Sequence, residues 1–122
     1  MASVYTGVII EESLENKEVL KSVRIVKTDI ERVTDTHKTP WVKQWTMHTV
    51  EIPDSDAEGI ARVLSRSLDS RHEWYADFKN AKTHFIIFRD KVFRIERASP
   101  AQYQDVVNYG ISLGIPAHQL DF

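Results

Sequence analysis

The chain has 122 residues, with 16 Lys and Arg against 18 Asp and Glu, 42% hydrophobic and 28% charged residues, and no cysteine. That balance excludes intrinsic disorder and suits one hydrophobic core, so a single domain over 1–122 is expected. The missing cysteines exclude disulfides, thiolate metal ligands and a cysteine nucleophile, and a formal charge of −2 with no basic cluster argues against a phosphate-neutralising grip on nucleic acid.

Val4 to Ile10 is β-branched and alternating, with Val4, Thr6, Val8 and Ile10 on one face of a strand. A polar break follows, and the next segment reads two ways. Val19, Val23, Val26, Ile30 and Val33 recur at helical steps, yet β-branched residues crowd the stretch. A helical turn near Asn16–Lys21 and a strand from Val23 to about Thr34 reconcile the two signals, with a bulge at Val26 or Lys27 repairing the alternation. Asp35 to Pro40 has loop composition, and Trp41 to Ile52 is a long strand that closes a hairpin with 23–34. Pro53 ends it.

Ser55-Asp56-Ala57-Glu58 has the form of a capping box, followed by Ala57, Ile60, Ala61, Leu64 and Leu68 on one helical face. Gly59 inside this helix suggests close packing against a strand. Three short strands are expected at 74–78, 83–88 and 92–96, joined by hairpin-length separators. Ser99, Pro100 and Gln102 mark the start of a second helix, and Gly114-Ile115-Pro116 marks its stop. Leu120 and Phe122 suggest a tail pinned by apolar contacts. The order β-β-β-α-β-β-β-α predicts an α+β fold, an antiparallel sheet of about six strands with two helices packed on one face.

That arrangement leaves a surplus of apolar surface. On the third strand, Trp41, Lys43, Trp45, Met47 and Thr49 oppose Val42, Gln44, Thr46, His48, Val50 and Ile52. On the fifth, Phe85 and Ile87 oppose His84, Ile86 and Phe88. Strands apolar on both faces are normally covered on both. Sheet curling, a second copy of the chain, or a ligand cleft would each supply the cover.

The chemistry-bearing residues are sparse. His48 and His84 fall mid-strand, where a hydrogen-bonded structural role is the ordinary one. Convergence of either with Asp77 would make a base and its orienting partner. Segment 71–79 puts Glu73, Tyr75, Asp77 and Lys79 on one face and His72, Trp74, Ala76 and Phe78 on the other. Serines 65, 67 and 70 read as surface residues. Pro53-Asp54 with Asp77-Phe78-Lys79 resembles the Pro-Asp…(Asp/Glu)-x-Lys motif of metal-dependent nucleases. That resemblance implies two carboxylates holding Mg²⁺ and a lysine at the phosphate; it spans five residues, and the capped helix after Asp54 departs from it.

These readings favour a non-catalytic binding or interaction module, a homodimer or the host of a small apolar or aromatic ligand. Trp41, Trp45, Met47, His48 and Trp74 are its candidate binding residues. The alternative is a small hydrolase or nuclease-like enzyme, with Tyr75, Asp77 and His84 as candidate acid/base groups. No cofactor, resident metal or nucleic-acid partner is implied. The longest apolar run, Phe85-Ile86-Ile87-Phe88, is far short of the ~20 residues that cross a bilayer. Met1–Tyr5 lacks the pattern of a signal peptide, so a cytoplasmic location is expected.

Overall fold

A computed structural model describes residues 4–34 and 41–120. Six strands form one antiparallel sheet: β1 (Val4–Ile10), β2 (Arg24–Arg32), β3 (Gln44–Pro53), β4 (Tyr75–Lys79), β5 (Thr83–Phe88) and β6 (Lys91–Glu96). Two helices, α1 (Asp54–Ser67) and α2 (Pro100–Ser112), follow β3 and β6. The expected class and element order are therefore present. The loop expected over 35–40, the tail residue Phe122 and His37 lie outside the described residues. No helix among those described is long and apolar enough to cross a membrane.

The spatial order of the strands is β2-β3-β1-β4-β5-β6. β1 runs up the middle, pairing Gly7 with Val50 on one side and with Phe78 on the other. A Cβ on Gly7 would stand 2.0 Å from the Asp77 carbonyl oxygen and 2.6 Å from Phe78 Cα. Only glycine allows this approach. The Phe78 ring packs over the site, edge-on to Tyr5 at 5.5 Å and tilted against Phe85 at 5.1 Å.

The hairpin of β2 and β3 forms with the anticipated irregularity: the register shifts between Ile25 and Lys27, leaving Val26 in a bulge. Ahead of it lies a 3₁₀ turn at Lys17–Ser22, where the Asn16 side chain accepts from the Glu18 N–H.

The helices do not share a face. The apolar side of α1 (Ala57, Ile60, Ala61, Leu64) packs with Tyr5, Ile9, Val50, Ile52, Phe78, Phe85 and Ile87. Val106 of α2 packs instead with Ile86, Phe88 and Ile95, joined by Ile115 and Leu120. Because β5 alternates, one helix covers 85 and 87 while the other covers 86 and 88. The apolar residues on both faces of β5 thus find cover within the chain.

Three local expectations are corrected. Ser55 does not cap α1: β3 continues to Pro53, paired with Val4, so Ser55 already lies in the first turn and the N-terminus has no side-chain cap. An N-cap needs extended backbone, which Ser55 has lost. Gly59 faces open space, with nothing near a Cβ there. Ser65 and Ser67 are buried rather than surface residues, and Ser65 Oγ donates to the Phe88 carbonyl at 2.7 Å.

α2 is capped as its sequence indicates. Ser99 Oγ accepts from the Gln102 N–H, while Gln102 Oε1 reaches past the cap to the Glu96 N–H. At the other end Gly114 takes φ +94°, and the Ile115 and Gly114 N–H groups return to Gly110 and Ile111, a Schellman closure. That turn throws Ile115 back onto the sheet and brings Leu120 against Gly110, whose missing side chain leaves the room.

The Gly7→Ala variant should lose roughly 3 kcal/mol or more of stability, since the added carbon meets backbone rather than a flexible side chain. Urea denaturation of both forms measures this, and a loss below about 1 kcal/mol would contradict the close β1–β4 approach.

Candidate functional site

α2 and the chain after it cover only the β4-β5-β6 part of their face. Where that cover ends, a cavity of about 240 Å³ opens. Val8 and Ile10 of β1 supply its apolar floor, and Ile115 and Gln119 of the C-terminal segment close it from above. Trp45, Trp74 and Tyr75 wall it, and Glu73 and Asp77 are its charged residues. Among the described residues, no lysine or arginine lines it.

Asp77 is the residue around which the site is built. Its Oδ2 lies 2.7 Å from His84 Nε2, and His84 Nδ1 lies 2.9 Å from the Tyr103 hydroxyl. His84 is fully buried. A carboxylate only accepts, so Nε2 carries a proton and donates to Asp77, which leaves Nδ1 to share a hydrogen bond with the Tyr103 hydroxyl. The three side chains come from β4, β5 and α2, and the chain of bonds runs from the α2 interface out to the cavity. Asp77, with 31% of its side chain exposed, keeps capacity for a further donor. Tyr75, two residues along the same face, donates its hydroxyl to the Gln119 carbonyl and ties the closing segment to β4.

Of the expected acid/base groups, Tyr75 and Asp77 line one cavity, and His84 is buried behind Asp77 without lining it. His48 lies elsewhere. It pairs opposite Ile9, on the α1 side of the sheet, with Nδ1 2.9 Å from Thr28 Oγ1 and Nε2 3.0 Å from Glu11 Oε1. Its role is to bind β2, β3 and the 3₁₀ turn at Glu11–Ser13 together, alongside Glu12, whose carboxylate accepts from the Thr46 N–H and hydroxyl.

The tryptophans are engaged with one another. Trp45 meets Trp74 edge-on at 5.7 Å, Trp41 meets Trp74 at 6.2 Å, and Trp41 stacks on His72 at 3.7 Å. Trp45 and Trp74 face the cavity; Trp41 borders an adjoining hollow with His72 and Pro116. Trp41 precedes β3 rather than lying in it. Met47 sits opposite Ile10, beyond the cavity wall. The Trp74 indole N–H is buried without an acceptor, the one such side-chain atom among the described residues, at a cost of about 1–3 kcal/mol.

Asp69 orients the outer end of this aromatic row. Its carboxylate accepts from the Arg71 N–H and lies 2.9 Å from His72 Nδ1. Burial pushes the Asp69 carboxyl up, but the bonds from Arg71 and His72 outweigh it and hold the group below the usual aspartate range.

Tyr103 escaped sequence reasoning because its link to His84 spans β6 and the cap of α2. The motif pair suggestive of a nuclease is not assembled: Asp54 is exposed in the first turn of α1, and Asp77 is bonded to His84. Among the described residues no group of three or more His, Asp or Glu could hold a metal ion. Comparison with protein families, curated proteins and solved structures finds no match, so geometry alone carries the functional reading.

Because the folded chain lowers the Asp69 pKa, its stabilisation is complete above the ordinary aspartate value, about 3.9, and is lost as pH falls below it toward the folded value. Urea melts between about pH 5 and pH 3 should show a decline that is shallower in Asp69→Asn. Equal slopes in the two proteins would remove Asp69 from this role.

Proposed function

We propose that this protein binds a compact organic cation, an amine on an apolar or aromatic body, in the cavity between Trp45, Trp74 and Asp77. The observation that carries the reading is the charge and surface of the cavity: aromatic and aliphatic walls, two carboxylates, and, among the described residues, no cationic side chain. Ammonium groups are held by carboxylates and by the faces of tryptophan and tyrosine rings. The volume, about 240 Å³, lies below the 300–1,000 Å³ usual for drug-sized ligands, which restricts the occupant to a small metabolite. His84 supports this role by holding the Asp77 carboxylate in one orientation before a ligand arrives.

The bond chain Tyr103–His84–Asp77 also supports a second reading, in which Asp77 acts as general base on a bound ester or amide. It ranks lower because, among the described residues, no serine, threonine or histidine accompanies Asp77 in the cavity wall, and the Tyr75 hydroxyl is engaged with the Gln119 carbonyl.

Tryptophan emission separates the two readings. Titration with small aryl and alkyl amines should shift or quench the emission, whereas size-matched amides and carboxylates should leave it unchanged. Asp77→Asn should weaken the amine response at least about tenfold, equivalent to about 1.4 kcal/mol. Equal responses to charged and neutral probes would defeat the cation reading. Hydrolysis of an ester panel that disappears in Asp77→Asn would favour the enzyme instead.

A further inference from the structure

A different surface, the outer edge of β2, carries a separate inference. β2 lies at one end of the strand order, and its nine residues are all exposed. Two large apolar side chains, Ile25 and Ile30, point to the α1 side of the sheet opposite Val50 and Thr46, and Ile30 is 65% exposed. Val26, in the bulge, is 48% exposed. A long edge strand with apolar side chains is a template for further pairing, which proteins ordinarily suppress with charges and bulges.

The charges on this edge are arranged in a particular way. Arg24, Lys27, Asp29 and Glu31 all lie on the α2 side, opposite Glu51, Thr49, Met47 and Trp45. The basic pair comes first along the strand and the acidic pair second. Against a wholly basic or wholly acidic strand its attractions and repulsions cancel, whereas against its own reverse all four pairs attract.

We infer that β2 pairs antiparallel with β2 of a second copy of this chain, continuing the sheet across a twofold axis at Thr28. In that register Lys27 meets Asp29 of the other copy. With Val26 of each strand kept in its bulge, Ile25 meets Ile30 and Arg24 meets Glu31, each contact occurring twice. The bulge is what preserves the facing: it returns Ile25 and Ile30 to one side and the four charges to the other. Lys27 Nζ lies 3.3 Å from Asp29 of its own strand and Arg24 lies 3.8 Å from Glu51, contacts in which the basic side chains are largely exposed. Such exposed pairs contribute little and exchange partners at small cost. The two-fold, self-complementary contact is the commonest kind in homo-oligomers.

The test uses two charge variants of the full chain. Arg24→Glu with Lys27→Glu makes the strand predominantly acidic; Asp29→Lys with Glu31→Lys makes it wholly basic. Sedimentation with light scattering should give twice the 14.1 kDa chain mass for the unaltered protein and a single chain mass for each variant alone. An equimolar mixture of the variants should return to twice the chain mass, because every reversed charge then meets its opposite. Recovery in the mixture also shows that each variant is folded. A monomeric unaltered protein, or a dimer that neither variant disrupts, would overturn the proposal. So would two monomeric variants that fail to recombine while their far-ultraviolet circular dichroism matches that of the unaltered chain.

Discussion

The close approach of β1 and β4 at Gly7 is the constraint on which the rest of the molecule depends. The first strand in sequence becomes a central strand of the sheet, and it joins the β2–β3 hairpin to the β4–β5–β6 meander. Without it the two antiparallel units would share no ladder. Its register with β4 also sets Val8 opposite Asp77, which places an apolar floor beside the carboxylate at the edge of α2. On the other face the same register seats Phe78 over Gly7, against Tyr5 and Phe85.

From that centre the division of labour between the helices follows. α1 covers the face that carries Tyr5, Ile9, Val50 and Ile52, while α2 covers the part of the opposite face formed by β5 and β6. Thirteen residues of α2 are too few to cover six strands. The Schellman turn at Gly114 extends the cover with Ile115 and Leu120, and the cavity lies where that extension stops. Its polar centre, Asp77, is backed by a buried histidine whose second nitrogen meets a tyrosine on the covering helix. Packing and the candidate site are therefore coupled: the helix that buries β5 also fixes the carboxylate facing the cavity.

Signals that act over a few residues were legible beforehand. The run Thr83–Phe88 is a strand with its two faces assigned as expected, and the Ser99-Pro100 start and Gly114 stop of α2 hold. The bulge at Val26 could be anticipated because β-branched composition and broken alternation conflict at that point. The failures share a cause. Ser55 reads as a cap only if the strand ends earlier than it does, and the pairing of Pro53 with Val4 is a contact between distant segments. His48 and His84 look alike in sequence, each mid-strand with alternating neighbours. One is held by Glu11 and Thr28 on the α1 side and the other by Asp77 and Tyr103 on the α2 side.

Composition and local pattern by themselves determined the class of this protein, the number and order of its elements, and which residues share a strand face. These properties follow from side-chain alternation, backbone preference and capping, which act between near neighbours along the chain. Only the tertiary structure decided that the helices would take opposite faces, that Asp77, His84 and Tyr103 would meet, and that His48 would be a brace. Each of those outcomes depends on which strand lies beside which, and strand neighbours are chosen by contacts between segments distant in the chain, such as the approach of β1 to β4 at Gly7.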